Sequence, residues 1–125
     1  MIFDTDVIIW MMKGNEKAAE IINNTDDRYI SIVTYMELLQ GANNKKHHKD
    51  IRDFFKEYEF KIIDLSEEVG HRSSVYMEEY SLSHGLTVID SLIAATATEK
   101  NMQICTANYR HFQFINELSI KKMKV

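Results

Sequence analysis

Met1-Ile2-Phe3-Asp4-Thr5-Asp6-Val7-Ile8-Ile9-Trp10-Met11-Met12 opens the chain. Met1 to Phe3 are apolar and run into Asp4, the pattern of a short buried strand that enters a helix through Asp4-Thr5-Asp6. From Val7 to Met12 every position is apolar, so the spacing predicts a helix covered on all sides. A buried strand feeding a buried helix makes the rest of the chain a search for further strands separated by helices.

They recur in order. Asn15 caps a second helix with Ala18, Ala19, Ile21 and Ile22 on its apolar stripe. Arg28–Ser31 reads as a strand, Ile32–Gln40 as a helix ended by Gly41, and Lys45–Glu59 as a charged helix with Ile51, Phe54, Phe55 and Tyr58 on one face. Phe60–Leu65 is the next strand. Ser66 caps a long amphipathic helix to about Leu82, stopped by Gly85, and Thr87 caps another over Val88–Glu99. Gln103–Thr106 reads as a strand, followed by a short helix with Phe112 and Ile115 and a last strand near Ser119–Met123. Strands alternating with helices of this length indicate an α/β fold whose central sheet is mainly parallel, and such sheets gather chemistry at the carboxyl ends of their strands.

The 125 residues suit one domain, residues 1–125, and no linker, repeat or low-complexity stretch divides them. With 45% hydrophobic and 27% charged residues the chain is too apolar to be disordered, and proline is absent, which disfavours an all-β design built on tight turns. No run approaches a membrane span, and the start lacks a signal peptide's basic and long apolar segments, so a cytoplasmic protein is expected. One cysteine, Cys105, excludes an internal disulfide and a cysteine-based zinc site. The net charge of −4 leaves only local patches for nucleic acid. Lys45, Lys46, Lys49 and Arg52, set against Asp50 and Asp53, form such a patch, although a solvated helix face has the same composition.

Four polar residues stand where a fold would not choose them for burial alone. Asp4 ends the first strand; it can be an N-cap or an active-site acid. Glu37 sits among Ile32, Val33, Tyr35, Met36, Leu38 and Leu39, on a helix whose surroundings should be largely apolar, where a carboxylate is costly unless paired, with Arg28 for instance, or coordinating. Asp90 lies in the first turn of the most apolar helix; its spacing from Thr87 fits a capping box, and its face also carries the small residues Ala94 and Ala97. Asn108 follows the strand Gln103–Thr106 and can be a helix cap. A parallel sheet brings such positions together, and a cluster of oxygen ligands suits a hard cation such as Mg²⁺ or Mn²⁺.

Read together, Phe3-Asp4-Thr5-Asp6-Val7-Ile8, Tyr35-Met36-Glu37-Leu38-Leu39-Gln40-Gly41-Ala42, Asp90-Ser91-Leu92-Ile93-Ala94-Ala95-Thr96-Ala97 and Thr106-Ala107-Asn108-Tyr109-Arg110-His111-Phe112 resemble the PIN-domain family, and within it the VapC-type toxins of toxin–antitoxin pairs. The resemblance implies a three-layer α/β/α sandwich and an Mg²⁺- or Mn²⁺-dependent endoribonuclease. It implies that Asp4, Glu37 and Asp90 are the metal-binding and catalytic acids. Asn108 falls at a fourth catalytic position that is often Asp, and Thr106 is the hydroxyl that supports it. Asp6 departs from the pattern, which usually has Asn there; an ionised Asp accepts hydrogen bonds but cannot donate them. The resemblance further implies an RNA substrate, a homodimer, and a cognate antitoxin that inserts a basic side chain among Asp4, Glu37 and Asp90. The apolar residues Trp10, Met11, Met12, Tyr76, Met77 and Tyr80 are expected to supply dimer surface.

Phe3-Asp4-Thr5-Asp6-Val7 also resembles the opening of haloacid-dehalogenase-like phosphatases, with Asp4 as nucleophile, but Val7 stands where that family has glycine. A catalytically inactive binding module on the PIN-like fold is the other alternative.

Overall fold

The computed structural model describes residues Met1–Val125. Five strands, β1 (Ile2–Phe3), β2 (Tyr29–Ser31), β3 (Lys61–Ile63), β4 (Ile104–Thr106) and β5 (Ile120–Lys122), form one sheet in the order β3-β2-β1-β4-β5, with every pairing parallel. Neighbouring residues of a strand point to opposite faces, so Ile2 and Ile104 join one apolar cluster while Phe3 and Cys105 join another. Helices α5 (Glu67–His84) and α6 (Val88–Glu99) cover the first face, and α1 (Thr5–Met12), α2 (Glu16–Asn23) and α4 (Lys45–Glu57) cover the second. The α3 helix (Ile32–Gln40) serves both clusters, Val33 on one side and Leu38 on the other. This is the expected three-layer α/β/α sandwich with a parallel sheet.

Local chemistry sets the boundaries. Asn15, Asn44, Ser66 and Thr87 each accept a hydrogen bond from a backbone N–H three residues on, which fixes the starts of α2, α4, α5 and α6. Gly85 ends α5 with φ +67°, a left-handed conformation that glycine adopts without steric cost. The α4 helix ends two residues before the expected Glu59, which takes a positive φ of 54°. β3 is shorter than Phe60–Leu65, and Phe60 stacks on Phe54 and meets Phe55 edge to face.

Two expectations of burial fail. The α1 helix is not covered all round: Ile9 and Met12 are each 37% exposed. The α3 helix also has an open side, on which Met36 is 50% exposed and Glu37 is exposed too. Both open sides border one hollow. The small residues of α6 serve packing: Ala94, Ala95 and Ala97 are fully buried, and Ser91 and Ser73 share a hydrogen bond of 2.6 Å between α6 and α5.

Topology then fixes where ligands go. From the central β1 the chain builds outward through β2 and β3, then crosses back to place β4 on β1's other side. The switch point of the sheet is therefore the gap between the carboxyl ends of β1 and β4, the place where open α/β sheets bind ligands.

Candidate active site

Asp4 leaves the carboxyl end of β1 and caps α1. Its Oδ1 accepts from the Thr5 N–H at 2.8 Å, and its Oδ2 accepts from the Thr106 hydroxyl at 2.8 Å across the β1–β4 gap. Thr106 Oγ1 in turn accepts from the Asn108 N–H at 2.9 Å, so one buried hydroxyl ties the acid to the loop after β4. Asp6, one turn into α1, spans the same gap: its Oδ2 accepts from the Ala107 N–H at 3.0 Å. Its Oδ1 is the one buried side-chain polar atom in the molecule without a hydrogen-bond partner.

Asp90 arrives from the other direction. The α6 helix runs back antiparallel to the strand it feeds, which puts its first turn at the carboxyl edge of the sheet. The expected capping box is half made: Thr87 Oγ1 accepts from the Asp90 N–H at 3.2 Å, while the Asp90 carboxylate stands 3.2 Å from Nδ1 of His111. Glu37, from the open side of α3, and Asn108, at the head of a short 3-10 turn over Tyr109–His111, complete the set. The Asn108 side chain makes no capping bond to that turn. Arg28, a possible partner for Glu37, is instead bonded to backbone carbonyls of Ile22, Thr25, Tyr58 and Asn23.

Asp4, Asp6, Glu37, Asp90, Asn108 and His111 line a single cleft of about 580 Å³, with Ile9, Leu38 and Ile51 among its apolar walls. A larger hollow of about 910 Å³ lies elsewhere, against α5, but its polar wall is already joined internally: Arg72 pairs with Glu99 and Glu117, and the Tyr76 hydroxyl bonds Glu117.

Burial raises Asp4, Asp6 and Asp90, and the acids act on one another unequally. Burial holds Asp4 well above the ordinary carboxylate range, and the charges of Asp6 and Asp90 push it further while the Thr106 bond pulls it down. Asp6 is raised chiefly by burial, and it lies within hydrogen-bonding reach of Asp4. Asp90 is raised by burial and by Glu37, and lowered by His111. The N-termini of α1 and α6 bring their partial positive ends to the same place, which offsets part of the repulsion.

A divalent cation fits this donor set on two grounds. The acids and Asn108 offer oxygen, which suits Mg²⁺ or Mn²⁺, and Asp6 Oδ1 is a buried oxygen without a hydrogen-bond partner. As placed, the side chains do not close on one point as three ligands of a single ion.

The expected RNA patch lies outside the cleft. Lys45, Lys49 and Arg52 line a neighbouring shallow hollow at the start of α4; Lys46 and Lys49 are paired with Asp50 and Asp53, which leaves Lys45 and Arg52 as its unpaired cations. Of the basic cleft residues that the sequence reading did not single out, Lys13, His47 and His111, the last is the one in contact with an acid. Its only signal is its place three residues after Asn108, beside the fully buried anchor Phe112.

Fold and site together define a class: a parallel α/β/α protein with a carboxylate cluster at the switch point of its sheet, suited to a hard cation. A PIN-domain model matches residues 1–116, and the chain belongs to that family. That membership displaces the haloacid-dehalogenase resemblance of the first strand. The chain is 28% identical over 122 residues to Ribonuclease VapC19 of Mycobacterium tuberculosis, covering 94% of this chain and 95% of that one. Its fold is similar to that of a toxin–antitoxin complex from Klebsiella pneumoniae, with a TM-score of 0.79, 26% identity, and coverage of 94% and 93% of the two chains. It is also similar in fold to VapBC2 from Rickettsia felis bound to a promoter DNA fragment, with a TM-score of 0.80, 23% identity, and coverage of 99% and 100%.

Proposed function

We propose that the chain is a divalent-metal-dependent endoribonuclease and the toxin of a toxin–antitoxin pair. In this reading Asp4, Glu37 and Asp90 hold the cation, Asn108 occupies the fourth catalytic position, and Asp6 and Thr106 support them. The observation that carries it is the shared cleft: acids from the β1–α1 junction, from α3 and from α6 open on one space at the switch point. Its family and the named activity of its relative support the same reading.

Held by Asp4, Glu37 and Asp90, Mg²⁺ or Mn²⁺ would supply Lewis-acid chemistry at the phosphate and a more acidic water. The chain's own groups do the rest. Thr5 and Thr106 fix both oxygens of Asp4, so that acid keeps one orientation. Glu37, the most open of the acids, is placed to take a proton from the attacking water. Asn108, free of capping, presents a neutral amide that can both donate and accept beside the phosphate.

The antitoxin in this proposal puts an arginine among the acids, where its fork bonds a carboxylate bidentately and relieves their repulsion. A homodimer belongs to the same reading; of the apolar residues expected at its surface, Met12 is exposed, Trp10, Met11, Met77 and Tyr80 are half-buried, and Tyr76 is buried. No helix is long and apolar enough to cross a membrane; a cytoplasmic location is part of the proposal.

The test is cleavage of a structured RNA by the purified chain in Mg²⁺, with EDTA and Asp4→Asn as controls. Cleavage that needs the metal and is lost in the variant is the expected result. Cleavage at the same rate in Asp4→Asn refutes the assignment, and no cleavage under any metal favours the inactive binding module.

A further inference from the structure

An RNA phosphate that enters this cleft meets four carboxylates, so the walls must supply a donor. Three basic side chains line the cleft: Lys13, His47 and His111. Lys13 Nζ lies 5.8 Å above the ring of Trp10, and His47 Nδ1 accepts the Asn43 N–H at 3.1 Å at the start of α4, which leaves its Nε2 as the donor. Neither pairs with an acid of the cleft, and His111 does. Its Nδ1 stands 3.2 Å from Oδ2 of Asp90, its side chain is 55% exposed, and the imidazole makes no other polar contact. The backbone beneath it is pinned, with the His111 N–H donating to the Asn108 carbonyl at 2.9 Å and Phe112 fully buried next to it. The ring is thus free to swing on a fixed stem.

The geometry points to His111 as a further residue of the proposed reaction: it competes with the cation for Asp90 and, once displaced, gives its imidazole to the RNA phosphate. The inference rests on the metal-dependent ribonuclease reading. A cation that takes the Asp90 oxygens removes the partner of Nδ1, and the nearest new acceptor is the anion the same cation draws in. The exchange keeps the imidazole paired on both sides of the binding event. It holds for either charge state of the ring, because a neutral imidazole with its proton on Nδ1 also donates. His111 takes over the donor role that the acids cannot fill and that Asn108 fills with an amide alone.

The experiment separates the two halves. Mn²⁺ is titrated calorimetrically, without RNA, into the wild-type chain, His111→Ala and His111→Gln, and KM and kcat for RNA are then measured at saturating Mn²⁺. Because the side chain is exposed, melting curves should show both variants folded. Loss of the competitor should make His111→Ala bind Mn²⁺ about threefold more tightly, the scale of an exposed charged contact. Loss of the donor should raise its KM for RNA about tenfold with a smaller effect on kcat, and the glutamine amide should restore much of that loss. Mn²⁺ affinity equal to or below wild type in His111→Ala overturns the inference, as does an unchanged KM. A wild-type chain that cleaves no RNA, in the presence of a tighter Mn²⁺ site in His111→Ala, upholds the competition and refutes the ribonuclease reading instead.

Discussion

Asp6→Asn should make the protein more stable and its cation site weaker. Asp6 faces Asp4 within hydrogen-bonding reach, one of its oxygens bonds the Ala107 N–H, and the other is buried with no partner. Asparagine keeps the acceptor toward Ala107 and turns an amide N–H toward Asp4, so a repulsive pair becomes a hydrogen bond to a charged group. Such a bond contributes about 1.5–3 kcal/mol; allowing for the partial exposure of Asp6, a gain of about 1–2 kcal/mol at pH 8 is expected, or roughly 4–8 °C in Tm for a domain of this size. The pH dependence gives the sharper check. Asp4 and Asp6 both have folded pKa values raised above their unfolded ones. The folded protein therefore binds more protons than the unfolded chain, and stability is lost as pH rises from the ordinary carboxylate range through the raised folded values. The variant lacks one of these groups and, after burial, the next contributor to the shift of the other, so its advantage should be larger at pH 8 than at pH 4. Urea melts in EDTA at the two pH values measure it. A variant no more stable than wild type at pH 8, or one whose advantage is the same at both pH values, would refute the argument. Added Mg²⁺ should stabilise wild type more than the variant, since wild type has the greater repulsion to relieve.

Cys105 is fully buried, and burial pushes its thiol up to about 12, so it should resist a thiol reagent at pH 8 until denaturant is added; fast labelling of the folded chain would contradict this. Gly85→Ala should cost about 1 kcal/mol in urea melts because its φ of +67° strains any side chain, although nothing lies in the way of the added methyl. Lys45→Glu with Arg52→Glu should weaken RNA binding and flatten its salt dependence while Mn²⁺ affinity stays unchanged, if phosphates run along the start of α4; an unaltered salt slope removes that surface from the RNA path. Antitoxin affinity should fall in added Mg²⁺ by more than in NaCl of equal ionic strength, since an arginine and the cation would share the same oxygens; equal effects would place inhibition outside the cleft.

Much of this site was legible because strand ends and helix starts leave strong marks. Asp4 follows an apolar triplet, Asp90 stands in the first turn of an otherwise apolar helix, and Asn108 follows an apolar strand; each lies at the same edge by the geometry of parallel sheets. Glu37 was found for a reason that the structure corrects. Apolar residues on almost every side of α3 suggested a buried carboxylate, whereas that helix borders the cleft and its Met36 and Glu37 are open. Periodicity reports which side chains can be buried, and a cleft is lined by apolar residues that are not. His111 left no such mark, because a three-residue turn has no period and an exposed histidine has many ordinary explanations. The orphaned oxygen of Asp6 is a property of packing that no linear pattern contains.

The bonds that hold Asp4 and Asp6 in place reach 102 and 101 residues along the chain, to Thr106 and Ala107. During synthesis each of these acids precedes its partner by about a hundred residues. A growing chain that stops short of β4 has Asp4 without its hydroxyl, Asp6 without its backbone donor and no strand beside β1 on that side. Whatever chemistry the cleft performs is thus withheld from the nascent protein until β4 has been made, and parallel pairings across such separations form slowly. The order of the sequence makes the assembly of the cleft wait for the docking of β4 on β1.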